Sequence, residues 1–254
     1  MSLNLFRSKP TVIARNFTWS SAAVTARGNV RPHNEDAVLE RSDTGLWAVA
    51  DGMGGHNAGD VASNAVVAAL SAMQRHARPS QLLDEVEDRL HAVNQQLYTS
   101  SMRSGNGTSG STVAVLVALE RHVLSVWAGD SRIYRRRGQQ LTQITRDHSE
   151  VQEMLDEGVI SSASAARSEA SNVITRAVGG ADELFLDVEV TELRDGDCYL
   201  LCSDGLYREL PDNVLLQTLG RKDPDNACAL LLSQALSGAC KDNVSAIVVR
   251  FSAS

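Results

Sequence analysis

Apolar residues recur at steps of three and four between Val61 and Met73, at Ala62, Ala65, Val66, Ala69, Leu70 and Met73, which puts them on one stripe of a helix. A second stripe, Leu83, Val86, Leu90, Val93 and Leu97, follows Pro79 and Ser80, with Ser80 in the position of an N-cap. Two amphipathic helices in succession must cover an apolar surface, and strands supply it. Short extended segments precede them at Ser21 to Ala26, Ala37 to Arg41 and Leu46 to Ala50; turn residues Asp43 to Gly45 make the last two a hairpin. Four more strands follow at Thr112 to Leu119, Val123 to Ala128, Ile133 to Arg137 and Gln140 to Ile144. Their connections are too short for crossover helices, so they run antiparallel.

A short helix is expected from Ser149 to Glu157, stopped by Gly158, and then a Ser/Ala-rich stretch without a clean period, 158–172, reads as a flap. Strands resume at Val173 to Ala177, Leu186 to Leu193 and Cys198 to Cys202. A helix pair follows (Asn213 to Leu219, Asn226 to Ser237), and Val244 to Phe251 closes the chain as a strand. Antiparallel runs with helix pairs inserted between them predict an α+β fold in which helices cover the sheet faces.

Composition narrows the function classes. The 254 residues, 43% apolar and 22% charged, are those of one globular domain, here 1–254 with 1–17 as an N-terminal extension. The longest apolar run, Val113 to Leu119, is far too short for a bilayer, and the N-terminus lacks a secretory pattern, so a cytoplasmic protein with no membrane partner is expected. Cys198, Cys202, Cys228 and Cys240 show no paired spacing and read as reduced core thiols. A net charge of -7 argues against a nucleic-acid partner and suits a protein that gathers cations. The run Arg135 to Arg137 reads as a solvated strand edge in preference to a dock for acidic phosphopeptide, and "RDGDC" at Arg194 to Cys198 as a plain turn.

The chemistry sits where buried segments end. Asp51 follows "WAVA", Asp130 follows "SVWAG", Asp204 follows "YLLCS", and Asp242 precedes the last strand. Brought together, such acids repel: two like charges at about 4 Å cost on the order of 4 kcal/mol at an effective dielectric of 20. A cation offsets that, and oxygen donors without cysteine or imidazole select hard ions, magnesium or manganese over zinc. Gly52, Gly54 and Gly55 leave room for a backbone carbonyl to reach a metal and for a phosphate to come close.

Seven blocks resemble, in order, the motifs of the metal-dependent serine/threonine phosphatases of the protein phosphatase 2C type, in their bacterial form: "VRPHNEDA", "VADGMGGHNAGDVAS", "GTSGSTV", "AGDSRIY", "NVITRAVGG", "LLCSDGLY" and "KDNVSAIVV". A fainter similarity is to phosphatases encoded beside type VI secretion systems. The resemblance implies two packed antiparallel sheets flanked by helix pairs, with two Mn2+ or Mg2+ ions in a cleft at one end and a third in bacterial members. It further implies hydrolysis of phosphoserine and phosphothreonine by a metal-activated bridging water without a covalent intermediate. Asp51 then matches the carboxylate bridging both metals, Asp204 and Asp242 the rest of the first site, and the Gly52 carbonyl and Glu35, directly or through water, the second. Asp36 would orient a water, Asp130 with Asp204 would hold the third ion, Arg31 would grip the substrate phosphate, and Asn243 would position Asp242 or a bound water.

Animal members carry a histidine where this chain has Met53, so the general acid is open among His56 and a metal-bound water; a local helix-start role for His56 is the other reading. "SEAS" stands where relatives often have a His-Pro and an arginine, which changes the flap's contacts. His33, His76, His91, His122 and His148 form no ligand set and read as structural, and "GNGTSGST" lacks the Gly-Lys-Ser/Thr ending of a Walker loop and reads as packing beneath the site. The expected protein is a monomer acting on phosphoproteins, opposite a bacterial kinase. The alternative is a catalytically inactive phosphoprotein-binding module on the same fold, and a regulator of a sigma-factor switch would be expected to carry fused sensor domains.

Overall fold

The computed structural model describes residues 6–7, 11–14, 17–54, 58–73, 79–104, 108–161 and 173–253. Among the described residues, thirteen strands make two antiparallel sheets. In the first, β1 (Phe6–Arg7) and β2 (Thr11–Ala14) pair with β3 (Phe17–Ala26), followed in order by β13 (Val244–Ala253), β12 (Cys198–Cys202), β9 (Arg132–Arg137) and β10 (Gln140–Gln143). In the second, the order is β11 (Asp187–Glu192), β8 (His122–Ala128), β7 (Val113–Leu119), β5 (Leu46–Met53) and β4 (Asp36–Arg41), with β6 (Gly110–Ser111) pairing the end of β5.

Alternation along the strands sends one set of side chains between the sheets and the other outward. The inner set is aromatic and apolar: Phe17, Trp19, Trp47, Val49, Tyr199, Ile247 and Phe251 are all buried in one cluster. Trp47 meets Trp19 and Phe251 edge to face at 5.8 and 6.1 Å between ring centres, geometry worth about 0.5–1.5 kcal/mol per pair beyond the area buried. The outer faces are covered by helices. Helices α1 (Ala58–Ser71) and α2 (Pro79–Ser104) lay Ala62, Val66, Leu70, Val86, Leu90 and Leu97 on the second sheet, the stripes read from the sequence. Behind α3 (Glu150–Asp156) and the one-turn α4 (Asp204–Tyr207), helices α5 (Asp212–Thr218) and α6 (Pro224–Ser237) cover the first sheet with Leu215, Leu231 and Leu232. The result is the expected four-layer α+β sandwich.

Four local expectations differ from the structure. The four middle strands form two hairpins in different sheets: β7 pairs β8 in the second, β9 pairs β10 in the first, and residues 129–131 carry the chain across. Gly129 makes that passage with φ +107, where a Cβ would come within 2.7 Å of the Thr112 side chain. Val173 to Ala177 is no strand; its backbone bonds irregularly to 148–150, with Glu150 N–H donating to Val173 O and Thr175 N–H to His148 O. The second helix starts at Pro79, whose fixed φ suits a first helical position, so Ser80 lies inside it and is not the N-cap. Finally, β9 is paired on both sides, by β12 and β10, so Arg135 to Arg137 is not a sheet edge. The turn at Gly196 is as expected, with φ +80.

Candidate metal centre

Each acid is set by the end of a strand. Asp36 opens β4 and Asp51 nears the end of β5, and the two are direct cross-strand partners. Like charges so placed destabilise a sheet. Asp204 follows β12 and opens α4, Asp130 lies in the 129–131 passage, and Asp242 precedes β13. Of the serine-rich segment, 105–107 lie outside the described residues, while Ser111 and Thr112 do lie beneath: Asp51 N–H donates to Thr112 Oγ1 at 3.0 Å, and Thr112 N–H and Ser111 Oγ both donate to Asp51 O.

Electrostatics show that the acids share one region. Burial, then Asp36, Asp204, Asp130 and Asp242, push the Asp51 carboxyl well above the usual range. Burial lifts Asp36 to about 7 against the opposing hydroxyls of Ser245 and Ser203, with Asp204 and Asp242 adding to the rise. Asp130 is lifted to about 7 by burial and then by Asp204, with Arg208 opposing. Asp204 is raised by burial, lowered in part by Arg208 and raised again by Asp242.

Protein groups restrain the acids. Arg31 Nη2 meets Asp242 Oδ2 at 2.7 Å, on a half-exposed guanidinium. Ser203 and Ser245 hydroxyls both donate to Asp36 Oδ2 at 2.7 Å. Arg208 stands 3.2 Å from Asp204 Oδ2 and 3.5 Å from Asp130 Oδ2, and Tyr207 O–H donates to the latter at 3.3 Å. Asn243 acts more widely than expected: its Oδ1 accepts Glu35 N–H, its Nδ2 donates to Arg27 O and His33 O, and its own N–H donates to Asp242 Oδ1. It thus ties the loop bearing Arg31 and Glu35 to Asp242.

The glycines are explained by close approach. A Cβ on Gly52 would fall 2.0 Å from Gly59 O and 2.7 Å from Glu35 O; one on Gly59 would fall 2.8 Å from both Glu35 Oε1 and Gly52 O. The Glu35 carboxylate and the Gly52 carbonyl therefore lie against the same small gap. Met53 packs its methyl toward Gly110. His56 and Gly55 lie outside the described residues, as do 162–172 of the predicted flap, including "SEAS".

A family model for protein phosphatase 2C matches residues 29–222. The chain belongs to the protein phosphatase 2C family. The serine/threonine protein phosphatase PstP of Mycobacterium tuberculosis is 36% identical over 228 residues, 89% of this chain and 44% of that protein, so the chain spans less than half of that relative. The serine/threonine phosphatase stp of Listeria monocytogenes is 34% identical over 235 residues, 89% of this chain and 93% of the relative. Among solved structures, PppA, described as a key regulatory component of T6SS in Pseudomonas aeruginosa, superposes with a TM-score of 0.86 at 37% identity, covering 93% of this chain and 98% of that one. The catalytic domain of PstP in complex with two manganese ions gives 0.84 at 34% identity, covering 93% and 99%.

The donor set of this protein phosphatase 2C chain suits hard divalent cations. Among the described residues no three His, Cys, Asp or Glu side chains already converge on one point that an ion could fill; Asp36, Asp130, Asp204 and Asp242 lean on serine, tyrosine or arginine partners instead. What favours cations is the crowding itself, together with buried Asp36 Oδ1 and Asp204 Oδ1, which have no hydrogen-bond partner. Reading the motifs overlooked Arg208, Tyr207, Ser203 and Ser245. For the first two a signal existed: "SDGLYR" places Arg208 one helical turn after Asp204, with Tyr207 beside it. The serines carry no such mark, because pairing of β12 with β13 brings them together and only packing of the two sheets brings them to Asp36.

Proposed function

We propose that this chain is a serine/threonine phosphoprotein phosphatase of a single domain, hydrolysing phosphomonoesters with divalent metal, manganese or magnesium. The observation that carries the reading is the gathering of Asp36, Asp51, Asp130 and Asp204 in one buried, mutually repelling group with orphaned oxygens. Asp51, Asp204 and Asp242 would hold one ion, Glu35 and the Gly52 carbonyl, with Asp51, a second, and Asp130 with Asp204 a third. When bound, such ions acidify water and neutralise charge on the phosphoryl oxygens. The chain's own groups do the positioning. Arg31, half exposed beside Asp242, offers a planar fork to the substrate phosphate. Asp36, held by two serines, orients water behind the acids, and Asn243 fixes the loop that presents Arg31 and Glu35.

The solved PstP domain with two manganese ions supports the metal, and relatives named as phosphatases support the substrate class over an inactive binding module. Phosphoproteins made by a bacterial kinase are the substrates we infer. A cytoplasmic site suits four buried free cysteines, and no helix among the described residues is long and apolar enough to cross a membrane. Likeness to PppA extends the proposal to regulation of a type VI secretion system, which neighbouring genes would test. The deciding assay follows p-nitrophenyl phosphate and a phosphothreonine peptide with manganese, with chelator, and with Asp204→Asn. Turnover should require the metal and collapse in the variant; metal-independent turnover, or an Asp204→Asn protein as active as the parent, would refute the reading.

A further inference from the structure

The arginine run of β9 is divided by the strand's alternation. Arg137 turns toward the fully buried Asp197, binding it through Nε and Nη2 at 2.8 and 2.7 Å. Arg136 points to the other face, where its cross-strand neighbours are Cys198 on β12 and, one strand further, Arg250 on β13. There it lines a cleft of about 560 Å³ between the β9–β10 hairpin and the end of α5, together with Gln139, Asn213, Gln217 and Arg221. The other two lining residues, Leu216 and Gly220, are uncharged, so the lining carries two guanidiniums, three carboxamides and no acid; Asp212, next to Asn213, is not part of it.

Arg136 Nε is buried without a hydrogen-bond partner, and no ion pair involves Arg136 among the described residues. Arg135 and Arg250 share the orphaned Nε, but neither lines this cleft. The carbonyls at the end of α5 do not explain Arg136 either. Arg250 Nη2 donates to Leu219 O and Arg221 O, while Leu215 O, Gln217 O and Thr218 O accept backbone N–H groups. Gly220 keeps the cleft open: a Cβ there would stand 3.4 Å from Arg136 Nη2.

A buried guanidinium nitrogen without an acceptor on the half-buried Arg136, beside the exposed Arg221 in a pocket of ligand size free of acids, calls for an anion. Two guanidiniums and several amide donors match a phosphoryl dianion, which offers three oxygens, better than a single carboxylate. We infer that the Arg136–Arg221 cleft is a binding site for a phosphoryl group, separate from the metal centre. Arg136 lies toward the end of β9 away from Asp130, four residues or about 13 Å of strand beyond Arg132 at 3.3 Å per residue. The phosphoryl group belongs either to free phosphate or to a phosphorylated protein segment; the chemistry is shared.

The test is an amide NMR titration of the full chain, with magnesium, using inorganic phosphate in one arm and a peptide bearing a non-hydrolysable phosphonate mimic of phosphothreonine in the other. The Gly220 amide and the side-chain amides of Asn213 and Gln217 should shift saturably, with a dissociation constant of about 1 mM or tighter. Arg136→Gln and, separately, the exposed Arg221→Gln should each weaken that response at least tenfold, while shifts at Gly52 in the metal centre persist. A response to phosphate alone names the free anion as ligand, and one to the mimic names a protein segment. Absence of a saturable shift at Gly220 in both arms, or a shift unchanged in both variants, overturns the site, whether or not the chain proves to be a phosphatase.

Discussion

The same strands end in acids on both sides of the sandwich, and the two ends treat them oppositely. Asp197, just before β12, is fully buried, gripped by two nitrogens of Arg137 and by Arg194 N–H. Asp204, just after the same strand, keeps Oδ1 buried without a partner and sits among other raised carboxyls. A structural acid is matched where it stands; an acid meant for a cation is left in debt to a group the chain does not contain. Burial alone therefore does not mark function, but burial with unmet oxygens and like-charged neighbours does.

That contrast can be broken by substitution. Asp51→Asn should reduce kcat for p-nitrophenyl phosphate at saturating manganese by roughly a thousandfold, about 4 kcal/mol of barrier, yet leave metal-free thermal stability equal or higher because a buried repulsion is gone. Asp197→Ala should do the reverse. Losing the acceptor of two Arg137 bonds and of the Arg194 N–H bond should cost about 2–4 kcal/mol, read as a lower Tm, with kcat of the folded protein within about twofold. A catalytic collapse in Asp197→Ala, or none in Asp51→Asn, would erase the distinction.

Acidity sharpens it. In the metal-free chain the folded state keeps protons on Asp36 and Asp130 up to about pH 7, whereas the unfolded chain releases them near 3.8. The folded form binds more protons in that window, so metal-free stability should fall as pH rises from about 4 through about 7. Manganese, which binds the deprotonated acids, should flatten or reverse the trend, and a melting series from pH 5 to 8 with and without the ion checks it. The smallest effect belongs to Tyr207→Phe. Removing the hydroxyl that reaches Asp130 should raise the manganese concentration for half-maximal activity by a few-fold, the size of one hydrogen bond, with kcat at saturation retained.

Much of this was readable in order along the chain. The hairpin of β4 and β5, the stripes of α1 and α2, the short helix α3 before Gly158 and the acids that end buried segments all follow from local periodicity and turn chemistry. Val173 to Ala177 misled because β-branched Val173, Ile174 and Thr175 favour extended backbone without saying whether a neighbouring strand is there to pair with it. The arginines of β9 misled for a related reason: charge in a strand reads as exposure unless its partner, here Asp197 sixty residues away, is known.

By itself, then, the sequence determined the elements, their buried faces and the presence of acids behind short side chains, because those are set by neighbours a few residues apart. Only the tertiary structure decided that β8 and β9 lie in different sheets, that Ser203 and Ser245 hold Asp36, that Arg208 stands between Asp130 and Asp204, and that Arg136 faces a cleft while Arg137 faces a buried acid. These depend on which strands pair and on which side of the sheet each residue falls. Contacts between residues far apart in the chain settle that, and no local pattern encodes them.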